Sequence, residues 1–233
     1  MEAVVMAAGE GRRLRPLTER WPKPVLPVDG RPLIATLLRE LARAGCHRVT
    51  VVTGHLAGQV ERLVEDGAPF MLDVTYARQP RADGSADAVR CALAAGARPP
   101  FLITAADTVY TRGDPHRLRA AFEGSGADGA LTARRDPPPG RGKPPTRFAD
   151  GRVERVIDDD PGNPLSSAPL WALGPRLASF LEDLPGPPYE LATAFQRGID
   201  AGLHVLGLEI GATRDLTSPE DLVRHNFAYL GSG

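Results

Sequence analysis

Residues 7–28, AAGEGRRLRPLTERWPKPVLPV, are the most informative stretch of this chain. They follow the short apolar run 3–6, which predicts a buried β-strand. A turn of small residues comes next, then several arginines and a lysine held between two prolines. Glycines after a strand let bare backbone N–H groups approach a phosphate, and nearby cations can neutralise a polyphosphate. The stretch therefore predicts a nucleoside triphosphate site at the carboxyl end of an open sheet.

Apolar β-branched runs alternate with helix-like patterns downstream of this stretch. Ser85 is predicted as the N-cap of one helix, and Gly96 as the residue that stops it. Repeated βα units of this length predict an α/β fold with a doubly wound, mostly parallel sheet. The predicted strands are residues 49–52, 72–76, 101–104 and 130–132, and the predicted helices are residues 33–44, 56–64 and 85–95.

The alternation breaks after residue 132. Residues 134–147 contain two proline runs and predict a mobile loop, and residues 148–153 predict a hairpin with an Asp-Gly turn. We expect one domain over residues 1–233, with a nucleotide-binding half (1–133), an acceptor-binding half (134–233) and a small inserted β/loop lobe. The remaining predictions are strands at 170–173 and 205–208 and helices at 176–184, 190–201 and 218–230.

Composition excludes several classes of protein. The 233 residues carry a net charge of -1, which gives no long-range field that favours nucleic acid or an anionic membrane. Two cysteines are too few for a disulfide framework, and no stretch approaches the roughly 18 apolar residues that span a bilayer. We expect a cytoplasmic protein, monomeric or homodimeric, with small-molecule partners.

The loop has a family likeness. Residues 9–18, GEGRRLRPLT, followed by Lys23-Pro24, resemble the signature of the nucleotidyltransferases that join a nucleoside monophosphate to a sugar 1-phosphate. The usual form is G-x-G-[ST]-R-L-x-P-x-T, with K-P a few residues later. Arg12 departs from it, because Thr or Ser usually stands there. The resemblance implies a Rossmann-like nucleotidyltransferase fold, with Mg²⁺ as the cofactor.

Roles for the loop residues follow from the resemblance and from their chemistry. Arg13 and Lys23 are predicted to act in catalysis, by stabilising the triphosphate and the departing pyrophosphate. The backbone before them would hold the phosphates. The predicted nucleotide-binding residues of this loop are Ala8, Gly9, Gly11 and Arg12.

Two aspartates are predicted metal ligands. Asp107 follows the strand 101–104 at its carboxyl end, and a carboxylate facing a triphosphate there suits Mg²⁺. Asp215 precedes Thr217-Ser218-Pro219-Glu220-Asp221-Leu222, which is similar to the late segment that completes the metal site in the family. In the family, an Asp after the strand that corresponds to residues 101–104 holds the metal. The glycine that usually precedes this Asp is replaced here by Ala106. The structural alternative is that both aspartates only cap turns.

Residues 76–88 are similar to the base-reading segment of the family. There a Gln after the strand hydrogen-bonds the base, which assigns Gln79, and a glycine at the next helix start lies close to the nucleoside, which assigns Gly84 with Ser85. A side-chain amide has one donor and one acceptor group, which suits the imide edge of uracil or thymine. Asp87 is predicted to face solvent, and a surface position for Gln79 is the alternative.

The acceptor side has few recognisable residues. Many relatives carry a V-E-K-P segment whose lysine binds the sugar phosphate, and this chain has instead Val156 followed by an acidic cluster at 158–160. Glu190 lies where relatives often place an acidic residue near the sugar hydroxyls. Gly142-Lys143 resembles the end of a P-loop, but Pro144 stands where Ser or Thr is needed.

Together these features predict a Mg²⁺-dependent nucleotidyltransferase that transfers a nucleoside monophosphate from a triphosphate to a phosphorylated acceptor, a sugar 1-phosphate, and releases pyrophosphate. Two alternatives stay open. The same chemistry occurs with other acceptors in molybdenum-cofactor guanylyltransferases and in cytidylyltransferases. A non-catalytic nucleotide sensor on the same fold is the third interpretation.

Overall fold

A nine-stranded mixed sheet forms the centre of the protein in a computed structural model, which describes residues 1–140 and 143–227. The sheet order is β5-β4-β1-β6-β11-β8-β12-β10-β9. A ladder of two strands, β7 and β13, and a short hairpin, β2 and β3, lie outside it. The strands are β1 Glu2–Ala7, β2 Pro27–Val28, β3 Arg31–Pro32, β4 Arg48–Thr53, β5 Asp73–Arg78, β6 Phe101–Ala105, β7 Thr108–Val109, β8 Gly129–Arg134, β9 Arg147–Ala149, β10 Arg152–Arg155, β11 Ser166–Leu173, β12 Val205–Glu209 and β13 Arg214–Asp215.

Strand direction divides the sheet into two parts. β5, β4, β1 and β6 are parallel neighbours, as βα repeats predict. β11 then runs antiparallel between β6 and β8, and β12 is parallel to β8. The antiparallel hairpin β9–β10 completes the far edge. The mostly parallel α/β fold predicted from the sequence is confirmed, and the insertion of β11 together with the β9–β10 hairpin makes the sheet mixed.

Helices cover both faces of the sheet. The helices are α1 Leu33–Arg43, α2 Ala57–Val64, α3 Ser85–Ala94, α4 Asp114–Ser125, α5 Pro175–Ala178, α6 Leu191–Asp200 and α7 Pro219–Asn226. Residues of β1 alternate between two cores, because side chains along a strand point to opposite faces. Ala3 and Val5 pack with α1, α2 and α4, and Val4 packs with α3, α5 and α6. This is the doubly wound arrangement.

Several local predictions hold. Asp150 and Gly151 both have positive φ in the hairpin between β9 and β10, as expected for an Asp-Gly turn. Ser218 and Asp221 form a capping box at the start of α7. The Ser218 side chain accepts from the backbone N–H of Asp221, and the Asp221 side chain accepts from the backbone N–H of Ser218. The predicted end of that helix, residues 228–230, lies outside the described residues.

Other local predictions are wrong. Gly84, not Ser85, is the N-cap of α3, and Ser85 is its first residue. The helix predicted at 176–184 is only one turn of α5 followed by the 3-10 turn Ser179–Leu181. Helix α4 was not predicted at all, because few apolar side chains mark it: its buried apolar residues are Pro115, Leu118 and Phe122.

The proline-rich segment is partly bonded to the fold. The backbone of residues 144–146 pairs with Ser167, Asp158 and Leu165 at 2.8–3.1 Å. Residues 141 and 142 are outside the described part, so the predicted mobility of the loop stays a prediction. None of the helices in residues 1–140 and 143–227 is long and apolar enough to cross a membrane.

Candidate active site

The loop after β1 has a conformation that its sequence requires. Gly11 has φ +62°, a left-handed conformation that glycine adopts without strain. A Cβ at Gly11 would lie 2.8 Å from Cγ2 of Thr18, and the Thr18 hydroxyl donates a hydrogen bond of 3.0 Å to the Gly11 carbonyl. The signature glycine and threonine therefore fix one another, which closes the loop over the end of the strand.

Helix α2 and the turn that precedes it hold this loop from outside. His55 Nε2 lies 2.6 Å from the carbonyl oxygen of Thr18, and Gln59 donates to the carbonyl of Arg20 at 2.7 Å. The backbone N–H of His55 also bonds the carbonyl of Ala8 at 3.2 Å. Ala8 directly follows β1, so the loop is anchored on both sides of its glycines.

Two adjoining cavities open at the carboxyl end of the parallel strands. The smaller one, of about 280 Å³, lies against the glycine loop. The larger one, of about 370 Å³, extends over β6 and β11 toward α6. Arg13, Lys23 and Asp107 line both cavities, and Asp215 lines the larger one. The structure thus brings together the four charged groups that the sequence separates by up to two hundred positions.

The first carboxylate, Asp107, forms an ion pair with Lys23. The Thr108 hydroxyl lies 3.3 Å from its other oxygen. Burial acts to raise the pKa of Asp107, but the charge and hydrogen bond of Lys23, helped by Thr108, outweigh it and hold that pKa below its ordinary value. Asp107 is therefore ionised at neutral pH, and a third of its side chain is exposed to the cavities.

The second carboxylate, Asp215, is more enclosed. One oxygen lies 2.7 Å from Nη2 of Arg134 and 3.1 Å from Nζ of Lys143. The other accepts hydrogen bonds from the hydroxyls of Thr108 at 3.0 Å and Thr213 at 3.3 Å. The Thr108 hydroxyl thus lies between the two aspartates, within 3.3 Å of both, and its one proton serves one of them at a time. Asp215 and Thr108 face one another because β13 pairs with β7 in that register.

A magnesium ion fits this donor set. Carboxylate oxygens are hard ligands, and Mg²⁺ usually takes one or two of them with phosphate oxygens and water. Oxygens of the two carboxylates lie 3.3 and 3.0 Å from the same Thr108 hydroxyl, and both carboxylates line the larger cavity, where a phosphate could lie beside them. Among the described residues no three His, Cys, Asp or Glu side chains form a metal-binding group, so phosphate would have to complete the coordination.

Arg12 and Arg13 differ in what they contact. Arg12 donates to Glu10 at 2.8 Å on the protein surface, beside the smaller cavity. Arg13 makes no ion pair or side-chain hydrogen bond within the described chain, although it lines both cavities. Its charge is therefore available to a ligand. The departure from the signature at Arg12 is accommodated by pairing with Glu10.

The segment predicted to read the base is folded inward. Gln79 is buried, and its amide nitrogen donates to the Gly84 carbonyl at 3.1 Å and to Asp87 at 2.9 Å. Asp87 is half-buried and also pairs with Arg90, so its prediction as a solvent-facing residue is wrong. Gln79 is equally not a free surface side chain. These two polar contacts rigidify the turn between β5 and α3.

Ser85 and Glu190, assigned to different substrates by the sequence, are hydrogen-bonded partners. The Ser85 hydroxyl donates to Glu190 at 2.5 Å and accepts from the backbone N–H of Leu191 at 2.9 Å. Both line the larger cavity. A Cβ on Gly84 would collide with the backbone of Tyr189, so this glycine permits close approach of chain to chain. The starts of α3 and α6 therefore meet at one end of the cavity.

The acidic cluster turns away from both cavities. Asp158 is buried and accepts from Arg147 at 2.6 Å and from Asn163 at 2.8 Å. It therefore stabilises the lobe around β9 and β10. Its neighbours Val156 and Ile157 line the larger cavity instead.

Three site residues were missed by sequence reasoning: Thr108, Arg134 and Lys143. Arg134 ends β8, and Lys143 lies in the proline-rich segment. Only Lys143 had a local signal, its likeness to a P-loop lysine. The others enter the site through strand pairing, which a local motif does not reveal.

The chain matches a family model described as nucleotidyl transferase over residues 2–141. It is similar to a glucose-1-phosphate thymidylyltransferase of Streptomyces antibioticus, with 44% identity over 89 residues, which is 38% of this chain and 25% of that protein. A low-salt glycan biosynthesis nucleotidyltransferase of Haloferax volcanii is 27% identical over 97% of this chain and 65% of its own length.

Among solved structures, a UDP-glucose pyrophosphorylase from Acinetobacter baumanii has the same fold, with a TM-score of 0.82 and 20% identity over 98% of this chain and 92% of that one. The alignments to the two curated relatives span a quarter to two thirds of those proteins. The family model covers more than half of the chain, so the resemblance of the glycine loop is confirmed. This protein belongs to the nucleotidyl transferase family.

Proposed function

We propose that this protein is a Mg²⁺-dependent nucleotidyltransferase that transfers a nucleoside monophosphate from a nucleoside triphosphate to a sugar 1-phosphate. The observation that supports it most is the convergence of Arg13, Lys23, Asp107 and Asp215 on two adjoining cavities. A relative named for glucose 1-phosphate supports the choice of acceptor. In this proposal residues 1–233 act as one catalytic domain, and the enzyme uses cytoplasmic substrates.

The two cavities suit two substrates. The smaller cavity offers the backbone of Gly9 and Gly11 with the free guanidinium of Arg13, which suits a triphosphate. The larger one has Ser85 and Glu190 at its far end, which suit the hydroxyl groups of a sugar. Because Lys23 and Asp107 line both, the reacting groups of the two substrates would meet beside them.

The reaction needs little from the protein besides position and charge. A phosphate oxygen of the acceptor attacks the α-phosphorus of the triphosphate, and the new P–O bond replaces the bond to pyrophosphate, which leaves with its electron pair. No general base is needed, because a phosphate monoester is already an anion near neutral pH. Arg13 and Lys23 would stabilise the leaving pyrophosphate. Bound Mg²⁺, held by Asp107 and Asp215, would neutralise phosphate oxygens.

Gln79 leaves one hydrogen-bond acceptor for a base. Its amide N–H groups are already bonded to Gly84 and Asp87, so its carbonyl oxygen remains to accept a hydrogen bond. This oxygen could accept from the ring N–H of uracil or thymine, and equally from an amino group of adenine or cytosine. We propose UTP or dTTP as the donor nucleotide because one relative is named a thymidylyltransferase.

A matrix of nucleotides against phosphorylated acceptors tests the proposal, with pyrophosphate release as the signal. We expect UTP or dTTP with a hexose 1-phosphate and added Mg²⁺ to give turnover. Asp107→Asn should lower it about 10²–10³-fold. Asp73→Asn, an equal change on an exposed residue at the start of β5, is the control.

Other outcomes separate the alternatives. Turnover only with GTP or CTP and a non-sugar phosphate would favour the guanylyl- or cytidylyltransferase interpretation. Tight nucleotide binding without pyrophosphate release for any acceptor would favour a sensor. Full activity in Asp107→Asn would contradict the assigned role of that carboxylate.

A further inference from the structure

We propose that Arg134 and Lys143 bind the phosphate group of the acceptor, in the place of the lysine that this chain lacks after Val156. The identity of the acceptor rests on the proposed function, whereas the geometry of the two cations does not depend on it. Two cations from separate segments meet on one carboxylate oxygen at the wall of the larger cavity.

The Arg134 guanidinium is buried with unused donors. Its side chain is 2% exposed, and Nη2 bonds Asp215. Within the described residues, Nε and Nη1 have no hydrogen-bond partner. A buried donor without an acceptor is costly, and a guanidinium presents its N–H groups in a planar fork that fits phosphate. Since Arg134 lines the cavity, a ligand there can supply the missing acceptors.

Lys143 adds charge beside it. Its Nζ lies 3.1 Å from the same Asp215 oxygen that Arg134 contacts, and a quarter of its side chain is exposed. One carboxylate can balance only one of these two cations. The remaining positive charge favours an anion between them, and a phosphate monoester carries the required negative charge.

The position of this pair separates it from the triphosphate cations. Arg134 and Lys143 line the larger cavity and are not among the residues that line the smaller one, whereas Arg13 and Lys23 line both. A phosphate held by Arg134 and Lys143 would have Lys23 and Asp107 on one side. Ser85 and Glu190 line the same cavity and would contact the remainder of the acceptor.

The experiment is a calorimetric titration of the full chain with inorganic phosphate, and separately with UTP. The variants are Lys143→Met and Arg134→Gln. The matched control is Arg135→Gln, since Arg135 is the next residue along the chain and pairs with Glu209 on the surface at 2.8 Å. We expect phosphate to bind about tenfold to hundredfold more weakly to both variants, with UTP affinity and the control almost unchanged.

Several results would overturn the inference: wild-type protein that binds no phosphate, equal phosphate affinity in Lys143→Met, an equal loss of UTP affinity, or loss of phosphate binding in Arg13→Gln instead. Lys143→Met keeps the test valid if Arg134→Gln fails to fold, and Lys143→Arg should restore binding. These titrations need no turnover, so absence of pyrophosphate release would count against the proposed function alone. Where turnover occurs, Lys143→Met should raise KM for glucose 1-phosphate more than KM for the nucleotide.

Discussion

Asp107 and Asp215 both lie within 3.3 Å of the Thr108 hydroxyl, yet their surroundings differ. Asp107 has one cationic partner, Lys23, and 36% of its side chain is exposed. Asp215 has two cationic partners and two hydroxyl donors, and its side chain is 9% exposed. A paired charge that can reach solvent is easily re-paired, whereas a buried charge cannot lose its partners cheaply.

The difference indicates a division of labour between the ends of the site. At the Asp107 end, Lys23 can exchange its carboxylate partner for the phosphates of a nucleotide without disturbing the fold. The Asp215 end joins β8, β13 and the proline-rich segment through Arg134 and Lys143, so it is also part of the structure. Substitutions at the Asp107 end should therefore affect mainly activity, and substitutions at the Asp215 end should affect mainly the stability of the fold.

Asp215→Ala should show the largest effect on folding. It removes the one ion pair that the buried Arg134 makes with residues 1–140 and 143–227, and breaking a buried pair costs about 3–5 kcal/mol. Asp107→Ala should cost less than about 1 kcal/mol, because its pair is partly exposed. Urea denaturation measures both free energies of unfolding. Equal losses would contradict the comparison.

Lys23→Met tests the other end by activity and titration. Loss of the charge that faces the triphosphate should lower turnover about 10²-fold or more, with a smaller effect on folding. It should also raise the pKa of Asp107, because burial is then no longer offset by the lysine. Carboxyl carbon chemical shifts followed against pH give that pKa. An unchanged value would mean that Lys23 does not govern Asp107.

The two glycines of the signature should separate stability from binding. Gly11→Ala forces a left-handed residue against Thr18 and should destabilise the protein by about 1–2 kcal/mol. A Cβ on Gly9 meets no atom within 4 Å, and Gly9 lines the smaller cavity. Gly9→Ala should therefore leave the melting temperature nearly unchanged and weaken nucleotide binding. A larger fall in melting temperature for Gly9→Ala than for Gly11→Ala would refute this assignment.

The smallest effect concerns acid stability. The pKa of Asp107 is lower in the folded protein than its ordinary value of 3.8. Its ion pair therefore stabilises the fold above that value, and the contribution is lost as pH falls through the lower, folded pKa. The stability gap between wild type and Lys23→Met should be at most about 1 kcal/mol at neutral pH and should close in strong acid. A stability difference between wild type and Lys23→Met that widens on acidification would contradict this prediction.

The parts predicted from the sequence are those that local chemistry determines. The loop after β1 depends on Gly11, Thr18 and the prolines around Lys23, all within a short stretch, so its role could be inferred before the fold was known. The alternation of apolar runs similarly predicted the parallel strands. Asp107 and Asp215 were found only because each lies in a recognisable segment.

What escaped prediction depends on distant pairing. Arg134 enters the site because β8 runs beside the antiparallel strand β11, and no pattern near Arg134 reports that neighbour. Lys143 lies in a segment where prolines suggested only a loop. Ser85 and Glu190, separated by over a hundred positions, meet because the starts of α3 and α6 pack together. Their partnership could not be read from either segment alone.

The short ladder of β7 and β13 gives the chain an unusual constraint on length. The register of this ladder sets Asp215 opposite Thr108. Adding or deleting a single residue between β12 and β13 would shift that pairing by one place and turn the Asp215 side chain to the opposite face. The number of residues in 210–213 is therefore as firmly constrained as the side chains of the site itself.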